Sequence, residues 1–191
     1  MKKYIIAITG ASGSIYAVKL IEELLKNGYS IHLVVSDNGA KVLEYETGIK
    51  LLNFIEDMKE KYGNITLEDV DNLFSSVASG SFKTDGMIIL PCSMSSLGEI
   101  AHGVSKNLIG RAADVCIKEK RPLVIVPRET PLSSIHLKNM LILSESGVTI
   151  LPAMPGFYHK PENLEDVINF VVGKILDTLS IENNLFKKWG N

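Results

Sequence analysis

Glycines, serines and a few cations fall in this 191-residue chain where an anion could be held. Gly10-Ala11-Ser12-Gly13 follows one apolar run and precedes an amphipathic one. Ser36 follows a second apolar run, Pro91-Cys92-Ser93-Met94-Ser95-Ser96 closes a third, and Pro127-Arg128-Glu129 closes a fourth. A fifth run leads into "PAMPGFYHKP" with Tyr158. Backbone amides at a helix start, with serine hydroxyls and an arginine beside them, hold a phosphate well. Gly10 and Gly13 make G-x-x-G, which is neither the dinucleotide fingerprint G-x-G-x-x-G nor a P-loop ending in Gly-Lys-Ser/Thr. Taken alone, the turn also fits close packing of a strand on a helix. Three serine-bearing strand ends weigh toward a phosphate ligand.

Other chemistry-bearing residues have plainer readings. Cys92, at a buried strand end, reads as a small hydrophobe. His32, His102 and His136 form no H-x-x-x-H pair, so no metal site is expected. Asp37 follows the second run as a ribose-binding acid would, but Ser36 holds the strand end itself. Arg111 and Lys118 lie seven residues apart on one helix face, by default a solvated one. Glu46 closes a helix that starts at Asn38, by default on the surface. Trp189, in a polar tail, reads as packing that tail onto a neighbour.

Positioning these groups requires a sheet whose strands all end on one side. Five Ile-, Val- and Leu-rich runs recur at 4–9, 31–36, 87–93, 123–129 and 148–155, with little polar alternation. That pattern marks strands buried on both faces. Ala17, Val18, Ile21, Leu24 and Leu25 share one helical stripe, ended by Asn27-Gly28. Leu164, Val167, Ile168, Val171, Ile175 and Leu179 share another, with Asn163 as its N-cap. Between 38 and 86 lie a helix, a break at Gly63-Asn64, a short helix expected to start at Thr66-Leu67-Glu68-Asp69, and a small-residue loop. The expectation is α/β: an open, mostly parallel sheet with helices on both faces, Rossmann- or flavodoxin-like, with 1–191 as one domain. In such sheets ligands bind beyond the carboxyl ends of the strands, where the serines and Arg128 stand.

Composition narrows the classes of partner. Twenty Lys and Arg against 22 Asp and Glu leave a net charge of -2, with no overall basic field for nucleic acid. Two cysteines outside any CxxC suit a reducing cytosol. No run approaches the ~20 apolar residues of a membrane span. The apolar part of "MKKYIIAITG" is too short for a signal-peptide core. A cytoplasmic protein is expected.

"GASGS", "PCSMSSL", "NLIGRAADVCIKEKRPLVIVPRETPLSSIHLKNML" and "ILPAMPGFYHKPENLEDVINFVVGKILDTL" closely resemble the UbiX-type flavin prenyltransferases over essentially the whole chain. The resemblance implies binding of reduced FMN and dimethylallyl phosphate. It further implies transfer of the prenyl group to flavin N5 and C6, and release of phosphate without a metal. The product, prenylated FMN, serves UbiD-type decarboxylases. Homododecamers with sites at subunit contacts are also implied. Position by position, Gly10, Ala11, Ser12, Ser36, Ser93, Met94, Ser95, Ser96, Arg111 and Arg128 match flavin-binding positions. Tyr158, Lys174 and Lys118 match those that hold the prenyl phosphate. Ser12, Glu46, Lys118, Glu129 and Trp189 match catalytic ones. Many relatives carry arginine where Lys174 stands; lysine keeps the charge and loses bidentate geometry. The alternatives are an FMN-dependent decarboxylase of an aromatic acid or cysteinyl substrate, and a non-catalytic flavin carrier. Ser95 stands where the cysteine decarboxylases of the wider superfamily carry asparagine, which counts against that branch.

Overall fold

A computed structural model describes residues 1–188, so Trp189 lies outside the described residues. Six parallel strands run β1 (Lys3–Ile8), β2 (Ser30–Val35), β3 (Ile65–Glu68), β4 (Gly86–Cys92), β5 (Leu123–Pro127) and β6 (Thr149–Ile150). Their order across the sheet is β3-β2-β1-β4-β5-β6. The chain thus leaves β1 toward one edge and returns past it to build the other half. The order reverses between β1 and β4, which opens a crevice at their carboxyl ends. Tyr4, Ile6 and Ile8 of β1 face one core, and Ile5 and Ala7 the other. This two-sided burial explains the unbroken apolar runs.

Helices α1 (Ser14–Lys26), α2 (Asp37–Thr47), α3 (Leu51–Tyr62) and α7 (Leu164–Thr178) contribute to the first core. Helices α4 (Met94–Ala101), α5 (Leu108–Lys118) and α6 (Ser134–Glu145) contribute to the second. The stripe predicted for α1 is buried throughout, and Leu20 joins it. Helix α7 buries more than a single stripe. The tail covers its far side, with Phe186 so close to Gly173 that a Cβ there would stand 2.5 Å from the ring. Leu164, placed in the stripe by periodicity, is exposed instead, because it opens the helix beyond the sheet. Among the described residues no helix is long and apolar enough to cross a membrane.

The expected short helix at Thr66 is corrected: Ile65–Glu68 is the edge strand β3, paired in parallel with β2 from Ile31↔Ile65 to Val34↔Glu68. Gly63, at φ 80°, ends α3 and turns the chain into that pairing. A four-residue strand with only Ile65 buried carries too little hydrophobic signal to announce itself. At the other edge, the run at 148–155 supplies only Thr149 and Ile150 to the sheet. Residues 151–163 then cross irregularly to α7, first hydrogen-bonded alongside β5 through Leu151 and Ala153.

Candidate active site at the carboxyl rim of the sheet

Three helices start at the rim beside β1; two are closed by a serine and one is not. Ser36 caps α2: its hydroxyl accepts the Gly39 amide at 3.1 Å. Ser93 caps α4, accepting the Ser96 amide at 3.2 Å and donating to the Ser96 hydroxyl at 3.1 Å. Helix α1 has no such cap, since Gly13 stands at that place with φ 105°, a backbone that favours glycine. Its acceptor comes from the end of α2. Glu46 Oε2 accepts the amides of Gly13 and Ser14, both at 3.0 Å. A carboxylate there also answers the positive end of the helix.

Glu46 gathers the sequence-predicted residues Ser12 and Arg128 around it. Burial alone would raise its carboxyl. The Ser12 hydroxyl, the Gly13 and Ser14 amides and the Arg128 charge outweigh burial and hold it below the ordinary carboxylate value. The glycine turn predicted to favour a phosphate is therefore already served, at two of its amides, by an anion of the chain. Among the described residues no carboxylate is hydrogen-bonded to the amides at the α4 start, with Ser93, Met94, Ser95 and Ser96.

Two residues absent from the sequence reading set this corner. Thr9, fully buried, donates its hydroxyl to the Pro91 carbonyl at 3.0 Å and accepts the Ser93 amide at 2.8 Å. It ties the end of β1 to the end of β4 and fixes the first loop against the third. A polar residue closing a buried strand was the available signal, because buried hydroxyls are paired. Gly39 lets α2 begin on top of β1: a Cβ there would stand 2.6 Å from the Ile8 carbonyl oxygen. Gly10 mirrors it, with Asn38 Cβ 2.7 Å from where its own Cβ would be.

Beyond Arg128 the rim opens into a cleft of about 320 Å3, lined by Pro127, Arg128, Glu129, Thr130, Leu132, Met140, Pro152, Ala153 and Met154. Glu129 accepts the neighbouring Thr130 amide at 3.0 Å. Tyr158 stands edge-on to Phe170 of α7 at 5.6 Å, within an aromatic cluster that includes His159 and Phe186. Lys174 follows one turn beyond Phe170 and is exposed. Cys92 is fully buried and its thiol is pushed up to about 12 by burial, which bears out the inert reading.

Arg111 and Lys118 make their contacts with other partners. Arg111 donates to the Ala78 carbonyl at 3.1 Å and pairs with Asp114 at 2.8 Å. Lys118 pairs with Glu119 at 2.6 Å. It closes α5, five residues before β5 begins at the opposite end of the sheet. A five-residue strand spans ~16 Å, more than a lysine side chain can cover to reach its own rim. Among the described residues no group of three or more His, Cys, Asp and Glu could hold a metal ion.

Comparison with known proteins agrees with this fold. A family model described as Flavoprotein matches residues 1–176. The chain is 51% identical to "Flavin prenyltransferase UbiX" of Halalkalibacterium halodurans, over 98% of this chain and 93% of that one. A crystal structure of AnUbiX in complex with FMN and dimethylallyl pyrophosphate superposes with a TM-score of 0.92 at 37% identity, covering 100% of this chain and 98% of that one. A dodecameric FMN-dependent UbiX-like decarboxylase from Escherichia coli O157:H7 superposes at 0.91 with 40% identity, covering 99% of this chain and all of that one. With the Flavoprotein model spanning most of its length and a relative sharing half of its residues end to end, the chain belongs to the Flavoprotein family and, within it, to the UbiX-type flavin prenyltransferases.

Proposed function

We propose that this protein transfers a dimethylallyl group from dimethylallyl phosphate to N5 and C6 of reduced FMN, supplying prenylated FMN to a UbiD-type decarboxylase. The observation that carries this reading is the rim itself. Capped helix starts at Ser36 and Ser93, the Ser12–Glu46–Arg128 corner and the adjoining cleft converge on one crevice. The residues fit a flavin mononucleotide. The amides and hydroxyls of Ser93 to Ser96 offer donors for its phosphate, Ser36 and Arg128 further polar contacts, and Gly10, Ala11 and Ser12 a close backbone approach to the ring. When bound, the reduced flavin supplies the nucleophilic nitrogen and carbon. We assign the whole of 1–191 to this one flavin-binding unit.

The chain's own residues would do the rest. Breaking an allylic carbon–oxygen bond leaves negative charge on the departing phosphate. Lys118, Lys174, Arg128 and the Tyr158 hydroxyl are the groups to stabilise it, and fixed charges in a dry site are usually the largest catalytic contribution. The Tyr158 ring, with Trp189, would wall off water and favour positive charge on carbon. Ser12, Glu46 and Glu129 would hold or pass protons at the ring. Lys118 ends α5 far from its own rim, so it would serve the site of a neighbouring copy, and we assign Arg111 of the same helix to that contact as well. Exposed Ile135, Leu137, Leu141 and Ile142 of α6 offer apolar area for such assembly, and the Escherichia coli relative is dodecameric. Both cysteines are free and buried, in keeping with work in the cytoplasm.

The test is anaerobic incubation of the purified protein with reduced FMN and dimethylallyl phosphate, followed by a mass spectrum of the small molecules. A flavin heavier by one prenyl unit is expected. Unchanged flavin with carbon dioxide released from an added aromatic or cysteinyl acid would make it a decarboxylase. Unchanged flavin alone would make it a carrier.

A further inference from the structure

The connector between β3 and β4 is anchored by two arginines, and only Arg111 has a place in the reading above. Arg121, half-buried between α5 and β5, is the other. Its Nη1–H donates to the Phe82 carbonyl at 2.7 Å and its Nη2–H to the Gly80 carbonyl. A planar guanidinium that bonds two carbonyls two residues apart fixes a stretch of backbone in a way lysine cannot. Gly80 is the residue so fixed. A Cβ on it would run into the Glu119 carboxylate and stand 3.0 Å from Lys118 Nζ. The Lys118–Glu119 pair therefore lies directly on the connector, where glycine leaves it room. Lys118 draws the Glu119 carboxyl below its ordinary value, first through their hydrogen bond and then through charge.

We propose that Arg121 is a positioning residue: by pinning the backbone of Gly80 and Phe82 it sets the direction in which Lys118 leaves the chain toward a neighbouring copy's site. This rests on the reading in which Lys118 serves that site. A lysine side chain on an open surface visits many rotamers. A backbone wall that removes most of them does part of the placing in advance. Arg121 acts through the connector.

Two variants test this through the kinetics of prenylated-FMN formation. Arg121→Met keeps the stem and removes the fork. Gly80→Ala inserts one methyl that displaces only the flexible end of Glu119 and the ammonium beside it, at a backbone without positive φ. Each is expected to lower kcat/KM for dimethylallyl phosphate about tenfold while FMN affinity and oligomer size hold. In a Lys118→Ala background neither is expected to lower the rate further, because residues that act through one another are not additive. A general structural role would instead give the same loss in both backgrounds, and that result overturns the proposal. So does an unaltered rate in Gly80→Ala, which decides the matter where Arg121→Met fails to assemble. If Lys118→Ala itself leaves the rate untouched, the assignment of Lys118 to the reaction is what fails, and the proposal falls with it.

Discussion

The starts of α1 and α4 stand side by side at the rim, one behind β1 and one behind β4, yet they are closed in opposite ways. Helix α4 is capped from within by Ser93, three residues from the amide it serves. Helix α1 is capped from a distance by Glu46, 32 residues after Ser14 in sequence. The consequence is electrostatic. A neutral serine cap satisfies one amide and leaves the positive helix end for an incoming anion. A carboxylate satisfies two amides and cancels that field. So the glycine turn, which carries the phosphate-binding look in sequence, is the neutralised start. The serine-capped start keeps its positive end, and on the proposed reading it is the one that would take a ligand phosphate.

The largest effect should come from disturbing the element that links both starts. Gly39→Ala drives a methyl into the Ile8 carbonyl and lifts α2, taking Ser36 and Glu46 with it. Overpacking of this kind costs about 2 kcal/mol, and urea unfolding should show that loss together with weaker FMN binding. A variant as stable as the parent would mean that α2 does not bear on β1 as described.

Glu46→Ala comes next. It leaves the Gly13 and Ser14 amides without their acceptor, and loss of such a cap costs about 1 kcal/mol. The pH dependence has a definite sign. Because the native carboxyl is held below its unfolded value, its contribution is complete above the ordinary value of about 4.3 and drains away as pH falls through the lower native value. The stability gap between parent and Glu46→Gln should thus be flat from neutral pH to ~5 and close below ~4. A gap that widens in acid would reverse the assignment.

Ser93→Ala is the smaller and sharper test. It removes one neutral cap, about 1 kcal/mol or less, but also a donor at the start left open for the ligand. Titration by flavin fluorescence should show weaker FMN binding for Ser93→Ala than its stability loss accounts for. If Ser93→Ala binds FMN like the parent, the open start is not where the phosphate lies.

Much of this was legible in the sequence, and the parts that were not have a common cause. Strands β1, β2, β4 and β5 announced themselves because burial on both faces leaves an unbroken apolar run. The edges did not: β3 pairs on one side only and buries one residue of four, and β6 is two residues long. In the site, local chemistry read well. Ser36 and Ser93 were found at strand ends, and both cap the helices that follow. What escaped depends on contacts between distant segments. Glu46 read as a surface residue on its own helix, and only its resemblance to known proteins marked it. Thr9 matters because Pro91 and Ser93 come to it from 82 and 84 residues away. Arg111 and Lys118 were placed on one helix face, but no local pattern states that Lys118 ends its helix at the far end of the sheet from the rim.

That orientation makes the central claim testable without any structure of the assembly. The rim is built within one chain, while Lys118 lies too far from it to complete the same site. Arg128→Ala damages the rim and Lys118→Ala damages the flank, so each variant alone should be nearly inactive. Co-expressed with different tags and purified as mixed assemblies, they should regain about a quarter of the parent's prenylated-FMN production, since random pairing restores that share of intact sites. Mixed assemblies no more active than the sum of the two variants would place Lys118 and Arg128 in the same chain's site and contradict the claim.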